Sequence, residues 1–139
     1  MSMLNIFNVS GSAASAQSQR LNVVASNLAN ADTVAGPDGQ ASKARQVTFQ
    51  TQLMGASGND PTAAGVRVSN ITEDATAGRR VHDPKHPSAD ADGYVTYSNV
   101  NAVEEMVNMI SASRSYQSNI EVMNTAKSLL LKTLQMGQS

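Results

Sequence analysis

The 139-residue chain contains no cysteine. Without thiols it can form no disulfide, hold no metal through thiolates and use no thiolate as a nucleophile. Tryptophan is also absent, and three tyrosines and two phenylalanines are the only aromatic residues. Because aromatic side chains supply so much of the buried area of a compact core, this composition favours helices packed along a seam over a globule with a large core.

A surplus of charge is lacking as well, since ten Lys and Arg against eleven Asp and Glu give a net charge of -1. A nearly neutral chain has no field that would draw it to nucleic acid or to an anionic membrane. No apolar run approaches the roughly 18 residues that span a bilayer. The N-terminal stretch MSMLNIFNVSGSAASAQSQR lacks a basic start and a continuous apolar block, so we do not expect a cleavable secretory signal.

The first part of the chain has the periodicity of a long helix. From about Leu4 to Ala31, apolar or small residues recur at spacings that alternate between three and four, which is a heptad pattern. The residues of this seam are Leu4, Phe7, Gly11, Ala14, Ser18, Leu21, Ala25 and Leu28. Arg20 is the only charged residue between Met1 and Ala31, so the predicted helix lacks the charged outer face of an ordinary surface helix.

The last part of the chain, from Asn101 to Met136, predicts a second long helix. Asn101 is a favourable N-cap residue, Glu104 follows it at the spacing of a capping box, and Gly137 fits the C-terminal stop. The residues of its heptad seam are Ala102, Met106, Met109, Ser113, Tyr116, Ile120, Met123, Lys127, Leu130 and Leu134. The regular spacing favours methionines that fill a seam over methionines that form an adaptable binding face. Lys127 interrupts the seam, either to fix the register of the helices or to extend into water.

Residues 33–98, between the two helices, are predicted to be an insert of loops and short strands. The predicted strands are the alternation of Val47, Phe49, Thr51 and Leu53 with polar residues, a start at Val66 and Val68, and Tyr94 to Tyr97. We expect the first strand to be half-buried, the stretch Gly55–Gly65 to be a flexible loop, and the polar stretch from Glu73 to Gly93 to be mostly loop. The predicted fold is mainly α with a small β insert: a terminal helical domain of residues 1–32 plus 99–139, and an inserted region of residues 33–98.

Two motifs have the residue types of a metal site. His82 and His86 have the i, i+4 spacing of helical zinc ligands, but prolines within and after this segment exclude the helix that the spacing requires. The segment from Ser88 to Asn99 resembles a calcium loop, but these two end residues stand where an aspartate and a bidentate glutamate are needed. A solvated loop and an Asp-Gly turn that leads into a strand are favoured, so we expect no metal ion.

The sequence lacks a catalytic grouping. It contains no Gly-x-Ser-x-Gly elbow, no phosphate-binding loop and no triad that includes a histidine. Serine and asparagine are abundant, but as hydrogen-bonding side chains without an activating base. We therefore expect neither an enzyme nor a bound cofactor.

Both ends of the chain carry long motifs in a fixed order: SGSAASAQSQRLNVVASNLANADTVAGPDG at residues 10–39 and NVNAVEEMVNMISASRSYQSNIEVMNTAKSLLLKTLQMGQ at residues 99–138. Together they resemble the flagellar basal-body rod, hook and hook-associated family. In that family Asn-Leu-Ala-Asn is usually followed by Thr-x-Gly and an aromatic residue, whereas this chain is one residue longer there and has Pro37. This departure, with ARQVTFQ at residues 44–50 and DADGYV at residues 90–95, resembles the proximal-rod branch of the family.

The resemblance implies a structural subunit of the bacterial flagellum. It implies export through the flagellar type III apparatus, terminal helices that pair as an antiparallel coiled coil, and helical stacking into the torque-transmitting drive shaft that crosses the periplasm. The implied partners are copies of the chain, other proximal and distal rod subunits and the rod-export-gate adaptor, with no nucleic acid and no membrane insertion. The alternative, from another class, is a cytoplasmic helical adaptor that binds a partner helix in a Met-rich groove.

The expected functional site is therefore a set of helix residues. Those expected in the coiled coil or the subunit interface are Leu4, Phe7, Ala14, Leu21, Ala25, Leu28, Met106, Met109, Tyr116, Ile120, Met123, Leu130 and Leu134. Asn22, Asn27 and Asn30 lie off the seam, and we expect polar contacts between subunits there, because amides bond without the desolvation cost of an ion. We also expect both ends of the free subunit to be largely disordered and to become ordered on assembly.

Overall fold

A computed structural model of the chain describes residues 3–54 and 63–138. The elements, in chain order, are α1 (Met3–Ala29), β1 (Arg45–Leu53), β2 (Ala64–Glu73), β3 (Arg80–His82), β4 (Tyr94–Thr96) and α2 (Ala102–Gly137). Two helices that pack together and a small β insert make the fold mainly α, as predicted. The chain falls into two compact units: unit 1 comprises Met1–Leu21, Thr48–Asn70 and Ser111–Ser139, and unit 2 comprises Asn22–Val47 and Ile71–Ile110. The domain division into residues 1–32 plus 99–139 and residues 33–98 stays a prediction.

The two long helices are confirmed. α1 has 27 residues and α2 has 36. Oδ1 of Asn101 accepts hydrogen bonds from the backbone N–H groups of Val103 (3.1 Å) and Glu104 (3.4 Å), so the predicted N-cap of α2 is confirmed. Within the described residues, neither helix is long and apolar enough to cross a membrane.

Several buried residues of both helices lie one residue before a position of the predicted seams, whereas Ala14 is buried on the seam itself. In α1, Val24 is buried while Ala25 is exposed; in α2, Ala112 and Ala126 are buried while Lys127 is exposed. Short side chains let a neighbouring backbone approach closely, whereas a heptad pattern is read from the larger apolar residues. Lys127 therefore extends into water and does not fix the register from inside a seam.

β1 and β2 form a two-stranded sheet and confirm the first two predicted strands. At one end of this hairpin the Met54 N–H donates to the Ala63 carbonyl (2.8 Å). The prediction that β1 is half-buried is wrong, because Val47 alone of its nine residues is half-buried. Among the described residues the sheet has two strands, and its buried residue is Gly65, at the start of β2 rather than in β1. Of the predicted loop Gly55–Gly65, residues 55–62 lie outside the described residues.

β3 and β4 form a second, antiparallel sheet in unit 2. β4 confirms the third predicted strand, although Tyr97 pairs with Val34 in an isolated bridge. β3 lies within the stretch for which the sequence predicts mostly loop, because a strand of three residues is too short to show an alternating pattern. Val81 of β3 lies opposite Val95 of β4, and Val95 is completely buried. Val95 therefore belongs to the core of unit 2.

Candidate functional site

Four large apolar side chains form an exposed stripe along the start of α2. Val103, Met106, Val107 and Ile110 follow the spacing i, i+3, i+4 and i+7, which places them on one helix face. They are 69, 55, 62 and 57 % exposed, respectively. We call this surface, which lies in unit 2, the α2 stripe. An exposed apolar face of this kind is typical of a surface that another protein covers.

A mainly apolar groove lies in unit 1, between the start of α1 and the later part of α2. Its volume is about 480 Å³. The residues that line it are Met3, Ile6, Ser118, Glu121, Val122, Thr125, Ala126 and Leu129. We call it the unit 1 groove. The α2 stripe and the unit 1 groove are both built from the terminal helices, which are the elements predicted to mediate assembly.

Asn27, near the end of α1, holds the first residue of β1. Its Oδ1 accepts a hydrogen bond from the Arg45 N–H (2.9 Å), and its Nδ2 donates to the Arg45 carbonyl (2.8 Å). Nδ2 also donates to Oε2 of Glu105, in the first turn of α2 (3.2 Å). The residue is only 3 % exposed, a depth at which an unpaired amide is costly. The amide of Asn27 is therefore used within the chain.

Asn99, two residues before the N-cap of α2, holds both ends of the β1–β2 hairpin. Its Oδ1 accepts from the Ala44 N–H (2.7 Å), just before β1. Its Nδ2 donates to the carbonyls of Asp74 (3.0 Å) and Thr76 (2.9 Å), just after β2. The Asp74 N–H in turn donates to the Ala44 carbonyl (2.8 Å). One side chain thus joins the two strands where the chain enters and leaves the sheet.

Asn27 and Asn99 together bond five backbone groups at the base of the hairpin, two through Asn27 and three through Asn99. We call this pair the asparagine clamp, and all of its bonds lie within unit 2. An amide side chain both donates and accepts, whereas a carboxylate at neutral pH only accepts. Asparagine is therefore suited to bind a backbone N–H and a backbone carbonyl at the same time.

The structure divides the predicted interface residues into two sets. Those that are buried or half-buried are Ala14, Leu21, Leu28, Met109, Ile120, Met123 and Leu130. Those that are exposed are Leu4, Phe7, Ala25, Met106, Tyr116 and Leu134. Asn22 is exposed, and Asn30 donates from Nδ2 to the Ser26 carbonyl of its own helix (2.8 Å). Contacts with other subunits stay a prediction for all these residues and for Asn27.

The calcium-like motif is a turn whose acidic group is already engaged. Oδ1 of Asp90 accepts from the N–H groups of Tyr94 (2.8 Å) and Asp92 (3.0 Å), and Oδ2 accepts from Nη2 of Arg80 (2.9 Å). These bonds, above all the Tyr94 N–H, hold the pKa of Asp90 below its ordinary value. Gly93 has a φ of 81° and precedes β4, so the predicted Asp-Gly turn before a strand is confirmed.

His82 and His86 have separate neighbours. The His82 ring lies edge-on to the ring of Tyr94, with centroids 5.0 Å apart and planes at 67°. Nδ1 of His86 accepts a hydrogen bond from the Ser88 N–H (3.0 Å). Within residues 3–54 and 63–138, no three acidic or histidine side chains come together as a metal site.

The asparagine clamp is the part of the site that sequence reasoning missed. The sequence predicts contacts between subunits for Asn27, and it places Asn99 at the end of a calcium-like loop and at the start of the C-terminal motif. Their partners include backbone groups 18 and 55 residues away, which leave no pattern of side chains. The one available signal is that asparagine is unfavourable inside a helix unless its amide finds a partner.

Comparison with known proteins assigns both ends of the chain to flagellar families. The family described as Flagella basal body rod protein matches residues 7–37, and Flagellar basal body rod FlgEFG protein C-terminal matches residues 91–136. The relative named Flagellar basal-body rod protein FlgC in Yersinia enterocolitica is 59 % identical, over 99 % of this chain and 100 % of the relative. The proteins of the same name in Escherichia coli O157:H7 and Salmonella typhimurium are 56 % identical, with the same coverage.

These relatives confirm the resemblance that both ends of the sequence carry. All three are named as rod proteins, and they give no support to the alternative of a cytoplasmic helical adaptor. The alignments cover the full length of the relatives and so include the helices and the insert. The chain belongs to the FlgC family of flagellar basal-body rod proteins.

Proposed function

We propose that this chain is a structural subunit of the proximal rod of the flagellar basal body, in which many copies stack helically through their terminal helices. Family membership supports the role as a rod subunit. The exposed α2 stripe is the observation that supports assembly through the terminal helices. More than half of each of its four residues is exposed. A neighbouring subunit that covers the stripe would gain roughly 25 cal/mol per Å² of apolar area removed from water.

We infer further that α1 and α2 pair as an antiparallel coiled coil. Within unit 1, Met3 and Ile6 line the unit 1 groove together with Leu129. Gly11, later in α1, lies against Met123, earlier in α2; a Cβ at Gly11 would be 3.7 Å from Cε of that methionine. In unit 2, Asn27 near the end of α1 bonds to Glu105 in the first turn of α2 (3.2 Å), so the earlier of these two α1 residues meets the later residue of α2. This order and the heptad spacing of both sequences support the pairing.

A shaft that transmits torque needs broad contacts on several sides of each subunit. The α2 stripe and the unit 1 groove are two apolar surfaces, and α1 adds a surface nearly free of charge. Asn22, exposed on α1, is the predicted asparagine best placed for a polar contact between subunits. Small and neutral side chains let backbones approach without burying an unpaired ion.

The proposed partners are copies of the chain, other proximal and distal rod subunits and the rod-export-gate adaptor. Membership of the family makes the chain a component of the flagellar basal body. A position in the rod across the periplasm, and export by the flagellar type III apparatus without a cleaved signal, belong to the proposal. The proposed role needs no enzymatic reaction, cofactor, nucleic acid or membrane insertion.

The substitution Val107→Asp, in a strain whose own gene is deleted, tests the proposal. A carboxylate buried at a subunit interface costs several kcal/mol, so we expect loss of swimming and basal bodies that lack a rod in electron micrographs. Because Val107 is 62 % exposed, circular dichroism of the purified variant is expected to show unchanged helix content.

Asn124→Asp is the control, because Asn124 is exposed on the same helix and lies well beyond Ile110, the last residue of the α2 stripe. It introduces the same charge and is expected to swim. Normal swimming with Val107→Asp would contradict assembly through the α2 stripe. A complete rod in the deletion strain would contradict the function itself.

A further inference from the structure

We propose that Asn27 and Asn99 are positioning residues: the asparagine clamp fixes the base of the β1–β2 hairpin to the ends of both helices and so places the hairpin for assembly. The placement of the hairpin for assembly rests on the proposed function. The clamp itself rests on the geometry of unit 2 alone.

The hairpin has weak means of keeping its position other than the clamp. Nearly every residue of β1 is exposed, and isolated two-stranded hairpins are marginally stable in water. The ion pair between Arg45 and Glu73 at its base is 4.0 Å long, and the two side chains are 56 and 62 % exposed. Such a surface pair contributes little. Within unit 1 the Val66 N–H donates to Oγ of Ser12 (3.1 Å), and Gly65, at the start of β2, is buried.

The bonds of the clamp go to backbone groups, and this makes it a positioning device. A bond to the N–H and carbonyl of Arg45 fixes the path of the strand whatever side chain the strand carries. The same holds for Ala44, Asp74 and Thr76 at Asn99. The base of the hairpin is thus located relative to the helix ends by neutral bonds that salt does not screen.

The clamp also couples the hairpin to the order of the helices. Asn27 belongs to α1, and Asn99 precedes α2 by three residues. Nδ2 of Asn27 reaches Glu105 in α2 as well as the strand, so one amide joins three elements. The hairpin base is fully bonded only when both helix ends are in place. The position of the hairpin is therefore coupled, through the clamp, to the ordering of the helix ends.

Hydrogen exchange on the purified full-length chain tests the clamp directly. The Arg45 N–H is bonded to Asn27 and the Ala44 N–H to Asn99. We expect Asn27→Ala and Asn99→Ala each to speed exchange at the corresponding amide roughly tenfold, the effect of losing about one net hydrogen bond. Amides of the part of α2 that lies in unit 2, up to Ile110, are expected to keep their protection. Asn124→Asp, on the exposed face of α2, is the control and is expected to change neither set.

Exchanging the polar groups at Asn27 and Glu105 distinguishes a positioning role of Asn27 from a packing role. Asn27→Asp keeps the shape and the acceptor for Arg45 but loses both donated bonds, and it places a carboxylate beside Glu105. We expect the fraction of swimming cells to fall roughly tenfold. Adding Glu105→Gln removes the like charge and supplies a donor to the introduced carboxylate, so it is expected to restore part of the swimming, while the Arg45 carbonyl stays without its bond to residue 27. A role in volume filling alone would not respond to the second substitution.

Each outcome decides the inference. Faster exchange at residues 44 and 45, lost swimming and rescue by the double variant support it. Normal swimming of Asn27→Ala and Asn99→Ala overturns it, and if Val107→Asp still fails to swim, the proposed function survives. Loss of helix content in both alanine variants also overturns it, since the residues would then maintain the fold as a whole. Unprotected amides at residues 44 and 45 in the unsubstituted chain overturn it as well.

Discussion

Unit 1 and unit 2 bury different kinds of side chain. Among the described residues of unit 1, those that are buried are Ser10, Ala14, Ala16, Ala63, Gly65, Ala112 and Ala126. Unit 2 also buries alanines, but it adds Val24, Asn27 and Val95. Unit 1 therefore brings backbones together with little apolar area buried, whereas unit 2 has a small core and a network of amide hydrogen bonds.

This difference indicates which unit depends most on contacts with other subunits for its stability. Alanine buries little area, and hydrophobic stabilisation follows the area removed from water. In unit 1 several large apolar residues near the ends of the chain remain outside: Leu4, Leu134 and Met136 are 61, 56 and 78 % exposed. We expect unit 2 to hold its structure in the free chain and unit 1 to gain most of its stability on assembly.

The largest expected effect comes from the core of unit 2. Val95→Asp buries an unpaired carboxylate at a position with no exposure, so we expect a loss of at least about 4 kcal/mol in the free energy of unfolding. Val81→Asp, opposite it in the register but 38 % exposed, is expected to cost about 1 kcal/mol or less. Urea unfolding followed by circular dichroism measures both. Equal losses would show that unit 2 has no core of its own.

Alanine substitutions at two glycines compare how closely the two units are packed. In unit 2, a Cβ at Gly78 would collide with the backbone carbonyl of Tyr97, which has no room to move, so Gly78→Ala is expected to cost about 3 kcal/mol. In unit 1, a Cβ at Gly65 would lie 2.6 Å from Sδ of Met54 and 2.7 Å from Oγ of Ser12. The thioether can turn away and the Ser12 hydroxyl has to shift slightly, so we expect a loss of about 1 kcal/mol, smaller than at Gly78.

Urea denaturation midpoints of the two alanine variants provide the measurement. Double variants that also carry Met54→Ala serve as a control, because removing the thioether should relieve one of the two close contacts in Gly65→Ala and leave Gly78→Ala unchanged. A larger loss at Gly65 than at Gly78 would reverse the comparison between the units.

Limited proteolysis of the dilute free chain tests which unit stands alone. The sequence by itself predicts a protected fragment near residues 33–98. The division into units predicts a longer protected region, residues 22–110. The segment 48–70 inside it belongs to unit 1, and we expect the protease to cut there as well. We expect subtilisin to remove the unit 1 segments roughly tenfold faster, as judged by mass spectrometry of the fragments. Uniform resistance would instead indicate a preformed helical pair along the whole chain.

Much of the fold could be predicted because the apolar pattern of a long helix recurs over many turns. The 27 and 36 residues of α1 and α2 average out single exceptions, and the cap at Asn101 marks a boundary. The packed face was predicted less well, because Ala112 and Ala126 are buried through their small size rather than their hydrophobicity. β3, with three residues, is below the length at which a pattern can be recognised.

The α2 stripe and the asparagine clamp show where prediction of the site stops. Met106 was predicted as an interface residue, and the exposure of its whole face appears only in the structure. Asn99 bonds to Ala44 and Asp74, which are 55 and 25 residues away in the sequence. Backbone partners at such distances leave no trace in residue type, so a single sequence cannot identify them.

The smallest expected effect is a dependence on pH confined to two turns of unit 2. A hydrogen bond from the Thr76 hydroxyl, then one from its N–H, lowers the pKa of Asp74, as the Tyr94 N–H does for Asp90. A lowered carboxyl pKa stabilises the fold above the unfolded value, about 3.9, and this contribution is lost as the pH falls through the folded pKa. Both groups are exposed, so overall stability should change little.

The amide of Tyr94 reports this loss. Between pH 5 and pH 2 we expect its NMR resonance to shift and its hydrogen-exchange protection, corrected for intrinsic rates, to fall, because protonated Asp90 is a weaker acceptor. Asp90→Asn keeps an oxygen for that bond but cannot titrate, so in this variant the change at Tyr94 should disappear. The same change in Asp90→Asn would mean that acid acts on unit 2 as a whole rather than on this turn.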